Sequence, residues 1–62
     1  MEYVLVNRDG QVIYTAQLDP SYENKTDGIK WDAAMDDAIS NGADITDVDM
    51  AKSMEANSAP AE

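Results

Sequence analysis

The side chains of this 62-residue sequence that could do chemistry are nearly all carboxylates. The chain has no histidine and no cysteine, so the commonest general base, the thiolate nucleophile and the usual transition-metal ligands are missing. Asp36 and Asp37 have the residue types for acid–base work, but adjacent helical positions diverge, and so short a chain has little room for a pocket. Asp44, Asp47 and Asp49 are spaced closely enough to suggest a calcium loop. Counted from Asp44, however, Thr46 and Val48 fall on ligand positions and Asp49 falls where the EF-hand loop needs glycine. Glycine-rich phosphate loops are also absent. The residues predict no enzyme, no cofactor and no metal.

Thirteen acidic residues against four basic ones give a formal charge of −9, which repels nucleic-acid phosphates and anionic membrane surfaces. No apolar run approaches the length of a membrane span, and no signal-peptide pattern opens the sequence. A soluble, cytoplasmic protein is expected. Without cysteine there is no disulfide framework, and at this size folding buries only about 60% of the unfolded chain's surface.

The charge is concentrated. From Asp27 to Asp49 the sequence holds seven aspartates and one cation, Lys30. Such a run can be no more than a solvated face. Yet Asp32 and Asp36 repel at i, i+4 by ~0.2–0.5 kcal/mol, and Asp36 and Asp37 lie toward the end of a helix whose dipole disfavours anions. Carboxylates at such spacing can stand in for phosphates against a basic surface.

The elements that must position these groups follow from local patterns. Residues 2–6 and 11–18 are rich in Val, Ile, Tyr and Leu, and Asn7-Arg8-Asp9-Gly10 between them has turn chemistry, which predicts a hairpin. A two-residue turn at Asp9-Gly10 would pair Val6 with Ile13. A turn opened by Asn7, with Gly10 as a left-handed bulge residue, pairs Val6 with Val12 and is preferred. It places Val4, Val6, Val12, Tyr14, Ala16 and Leu18 on one face, and Tyr3, Leu5 and Ile13 on the other.

Trp31, Ala34, Met35, Ala38 and Ile39 form the apolar stripe of a helix, begun by Thr26 or Asp27 and stopped by Asn41-Gly42. Trp31 belongs to the core on this stripe, and Tyr22 is expected as a lid in the loop before it. Residues 44–54 read as a strand with Val48 and Met50 inward and Lys52 awkwardly placed, or as a helix capped by Thr46. The strand is favoured, since a hairpin and one helix need a third strand.

The expected fold is therefore α+β: a ββαβ domain over 1–54, with a three-stranded antiparallel sheet of order 2-1-3, one helix packed on one face, and a disordered tail over 55–62. Tyr3, Leu5 and Ile13 would then lie on an uncovered face, with Asp47 and Asp49 at its side and Asp32, Asp36 and Asp37 on the helix. These eight residues are the expected partner-binding set. The expected partner is a basic host protein, one candidate class being a nucleic-acid enzyme, with no direct contact to nucleic acid or membrane. The chain resembles in build, though in no alignable motif, the small acidic inhibitors and DNA mimics that phages and mobile elements direct at host enzymes. The alternative is a homodimeric structural or regulatory domain of the antitoxin or accessory-subunit kind.

Overall fold

The structure, a computed structural model, describes residues 1–57. Strands β1 (Glu2–Val6) and β2 (Val12–Gln17) pair antiparallel. The turn between them is built by Asn7. Its carbonyl accepts the Gly10 N–H at 2.9 Å, its N–H donates to the Gln11 carbonyl at 2.9 Å, and its Oδ1 accepts the N–H groups of Asp9 and Gln11. Gly10 sits at φ 83°, where a side chain would be strained. Val6 faces Val12, as the bulged turn requires.

Beyond that pair the ladder slips. Leu5 pairs with Tyr14, Val4 with Thr15, Tyr3 with Ala16 and Glu2 with Gln17, leaving Ile13 as the extra residue of a second bulge. Side chains alternate with a period of two, so this slip exchanges the faces of β1 relative to β2. Tyr3, Leu5 and Ala16 are fully buried in one cluster with Leu18, and Ile13 and Tyr14 pack against it. Val12, by contrast, is 61% exposed. The expected assignment of faces is thus corrected: Tyr3, Leu5 and Ile13 belong to the core side. Apolar area decides the outcome. The bulge lets Tyr3, Leu5 and Ile13 take the places that an unslipped ladder gives to the smaller Val4, Val6 and Val12, at about 25 cal/mol for each Å² buried.

Helix α1 (Asp27–Ser40) covers this face. Thr26 caps it through Oγ1, 3.5 Å from the Ile29 N–H, and Asp27 stands at the favourable end of the dipole. Ala34 and Ala38 are fully buried, and their small side chains let the helix approach over Tyr3 and Leu5. Trp31 and Met35 pack around them, while Ile39 is 60% exposed despite its place in the stripe. The helix ends with the Gly42 N–H on the Ile39 carbonyl and the Ala43 N–H on the Ala38 carbonyl. This is the paired closure that a left-handed glycine permits, and Gly42 has φ 76°.

The chain then crosses to the outer edge of β1. A single antiparallel bridge forms there, Asn7 with Val48, held by Arg8 N–H to the Asp47 carbonyl and Asp49 N–H to the Val6 carbonyl. The expected third strand stops at this one bridge. Residues Met50–Asn57 form helix α2, so among the described residues the sheet has two strands and there are two α-helices, with a 3-10 helix over Pro20–Asn24 between β2 and α1. Continued from the bridge, a strand would set Met50 beside Leu5 and Lys52 beside the fully buried Tyr3, forcing an ammonium toward the core. The helix instead exposes Lys52 and buries Ser53.

Side chains of α2 replace the missing strand. Ser53 Oγ accepts the Val6 N–H at 2.8 Å and lies 2.7 Å from the Asp49 carbonyl, to which it donates. It thereby relays the bond that a ladder would make directly. One turn later Asn57 accepts the Val4 N–H through Oδ1 at 3.0 Å and donates from Nδ2 to the Val4 carbonyl at 2.9 Å. A carboxamide carries the same donor and acceptor as a peptide group. Residues 55–57, expected in the tail, are therefore part of the domain; the rest of that expected tail, 58–62, lies outside the described residues.

Two outcomes follow from this packing. Asn57→Ala leaves both Val4 backbone groups without their partner and should lower stability by about 1–3 kcal/mol. Hydrogen exchange should accelerate at the Val4 amide more than at the Leu5 amide, and equal acceleration would refute the role given to Asn57. Among the described residues the Tyr3 hydroxyl is buried without a hydrogen-bond partner, so Tyr3→Phe should raise the denaturation midpoint, by roughly 1 kcal/mol in free energy.

Candidate functional site

The eight residues expected to meet a partner separate into three groups. Tyr3 and Leu5 are fully buried and Ile13 is half-buried against the core, so the tyrosine-centred docking face does not exist. Asp37 and Asp49 are half-buried and engaged within the fold. Asp32, Asp36 and Asp47 are exposed.

Asp37 is a latch between α1 and β2. Its Oδ2 accepts the Tyr14 hydroxyl at 3.0 Å and the Gln17 N–H at 3.3 Å, and its Oδ1 accepts Asn41 Nδ2 at 3.1 Å. The carboxylate meets Gln17 where the carbonyl of a further strand would. Asp49 caps α2, with Oδ1 2.9 Å from the Lys52 nitrogen. Neither role was visible in charge alone. The signal for Asp37 was the need of Tyr14, apolar in body and polar at its tip, for an acceptor once it lies under a helix.

Two shallow clefts carry several of the carboxylates. One, of about 330 Å³, lies between the end of β2 and α1, with Asp19, Tyr22, Asp36, Asp37 and Ser40 on its walls. The other, of about 370 Å³, is lined by Asn7, Ile13, Asp44 and Asp47. Asp19 and Asp44, not among the expected set, therefore stand beside expected residues. Both carry carboxyls held below the ordinary value. For Asp19 the cause is hydrogen bonding from Ser21, backbone first and then side chain; for Asp44 it is bonding from Thr46, side chain first. Asp32 lies one turn before Asp36 on α1. Among the described residues no group of three or more histidines, cysteines or carboxylates could hold a metal ion, and no helix is long and apolar enough to cross a membrane.

A third depression, of about 430 Å³, is apolar and runs between Val6, Val12 and Ala56, with Lys52 and Glu55 at its rim. It lies on the side of the hairpin away from α1. The expected open face is therefore replaced by one bearing Val12 and Thr15.

The described residues thus form a two-stranded hairpin flanked by two helices, with one acidic cleft between β2 and α1 and another lined by Asn7, Ile13, Asp44 and Asp47. No protein-family model, curated protein or solved structure matches the chain.

Tyr3 and Tyr14 supply a pH signature. Burial pushes the Tyr3 phenol above its ordinary 10.0, with the Asp27 charge adding to it; desolvation does the same for Tyr14, with the Asp37 hydrogen bond and charge adding. A raised folded-state value means that the neutral phenol is the form the fold favours. Its contribution is complete below pH 10.0 and is lost as pH rises through the folded-state values. A spectroscopic titration should show phenolate forming at Tyr14 only above pH 10.0, with loss of helix accompanying it. In Asp37→Ala the Tyr14 ionisation should move part of the way back toward the ordinary value, and an unmoved curve would remove Asp37 as a contributor beside desolvation.

Proposed function

We propose that the chain is a small acidic protein-binding module, an inhibitor of the phage or mobile-element type. It acts in the cytoplasm by setting carboxylates against a basic, nucleic-acid-binding surface of a host protein. The observation that carries this reading is the exposure of Asp32, Asp36 and Asp47 with no fold partner for their side chains among the described residues. Asp32 and Asp36 stand four residues apart on α1, ~6 Å of rise, Asp19 shares a cleft with Asp36, and Asp44 and Asp47 share a second one. A surface of this sign accelerates encounter with basic partners and discriminates against acidic ones. The homodimer alternative relied on Tyr3 and Leu5, which lie inside the core, and no observation favours it.

Charge reversal tests the proposal. Asp32→Lys with Asp36→Lys changes the charge from −9 to −5, two units at each position, on an exposed face. Proteins captured from a bacterial lysate by the native chain should be released by added salt and by added duplex DNA, which competes for the same basic surface. The double variant should bind them about tenfold more weakly or worse. Undiminished capture by the variant, or capture indifferent to both salt and DNA, would sink the reading.

A further inference from the structure

Asn41 and Gly42 close α1, and their chemistry goes beyond capping. A backbone N–H can attack the side-chain carbonyl carbon of the asparagine before it, and does so most readily when the attacking residue is glycine. Both residues are exposed, and nothing lies within 4 Å of the space beside the Gly42 Cα. We infer that Asn41–Gly42 is a self-modification site that the Asp37 latch holds closed, and whose reaction releases that latch.

The fold restrains both reacting partners. The Gly42 nitrogen is committed to the Ile39 carbonyl at 3.1 Å. The Asn41 Nδ2 is committed to the Asp37 carbonyl at 2.8 Å and to Asp37 Oδ1 at 3.1 Å. With Asn41 at ψ 8°, the two cannot meet until the helix end opens. In the opened state a solvent base takes the Gly42 amide proton and the nitrogen bonds to Cγ of Asn41. The Cγ–Nδ2 bond breaks and Nδ2 leaves as ammonia. Water then opens the five-membered imide at either carbonyl, giving aspartate or isoaspartate. The sum is amide plus water to acid plus ammonia, with no other reactant.

Reclosure after reaction is disfavoured for a specific reason. The atom that leaves is the donor that gripped Asp37, and the atom that replaces it is a carboxylate oxygen. Two carboxylates would then face each other at a helix C-terminus, where each is repelled by the other and by the dipole. Asp37 also accepts from Tyr14 and Gln17, so the seam between α1 and β2 loosens with it. Asn7, Asn24 and Asn57 precede Arg8, Lys25 and Ser58, whose side chains hinder the same attack.

Prolonged incubation of the full chain in mildly alkaline buffer, followed by peptide mapping with mass spectrometry, tests this. Conversion should appear at Asn41 ahead of Asn7, Asn24 and Asn57. It should run about three- to tenfold faster in Asp37→Ala, the equilibrium worth of one such hydrogen bond, and hydrogen exchange at Gln17 should quicken in the converted fraction. Asn41→Asp, which installs one product directly, should show the same loss of Gln17 protection, whereas Asn41→Ser, uncharged and inert, should retain more of it; this pair keeps the test valid if Asp37→Ala folds poorly. Conversion elsewhere first, or an Asn41→Asp chain with native Gln17 protection, would overturn the inference.

Discussion

The outward backbone of β1 is the constraint on which the fold depends. Every buried N–H and carbonyl needs a partner, and a hairpin has only one neighbour to offer. The usual remedy is a further strand; here it is two side chains on a helix. Ser53 and Asn57, one turn apart, answer Val6 and Val4, and across the sheet Asp37 answers Gln17. A two-stranded sheet is at best marginal by itself. With both edges engaged by side chains and one face under α1, it serves as the floor of a domain. The same side chains occupy positions at which another chain's strand could pair, which protects the hairpin against edge-to-edge association.

The features legible in the sequence are those decided within a few residues. Asn7 and Gly10 set the turn, Trp31, Ala34, Met35 and Ala38 set the helix, and Asn41-Gly42 sets its end. The second bulge was not legible, because β2 reads the same whether or not Ile13 is extra. Only the competition between setting Tyr3 with Leu5 and setting Val4 with Val6 beneath α1 settles it, and that competition is tertiary. The segment after Asp44 carried its own warning in Lys52, which a strand with Val48 and Met50 inward could not keep outside the core. A carboxamide at position 57 standing for a peptide group has no local signature. It was hidden in a stretch whose small and polar residues resemble a tail.

Charge composition concealed a division of labour among the aspartates. Asp19, Asp37, Asp44 and Asp49 each accept a backbone N–H, from Ser21, Gln17, Thr46 and Lys52 respectively. For Asp19, Asp44 and Asp49 the short aspartate stem suits this task, since its carboxylate reaches backbone within two or three residues; Asp37 reaches across to β2 instead. Asp37 illustrates the balance of terms. Its place near the C-terminus of α1 costs about 0.3–1 kcal/mol through the dipole, while hydrogen bonds to a charged acceptor contribute roughly 1.5–3 kcal/mol each when well made. The dipole loses. Part of the negative charge thus has a structural return, and only the remainder calls for an explanation outside the fold.

That remainder begins one residue away. Consecutive helical positions are turned by about 100° from one another, so Asp36 and Asp37, though both on the wall of one cleft, diverge. The same rotation separates their duties. Asp37 points to the sheet and ties α1 to β2, whereas Asp36 points to solvent with Asp32 a turn before it. Reversing the outward charges leaves the latch untouched, and cutting the latch leaves the outward charges in the sequence while freeing the helix that displays them. The carboxylates that α1 turns to solvent therefore depend for their placement on a neighbour that faces the sheet. In a domain this small the outward charges and the bonds that hold the fold are separated by side-chain direction alone.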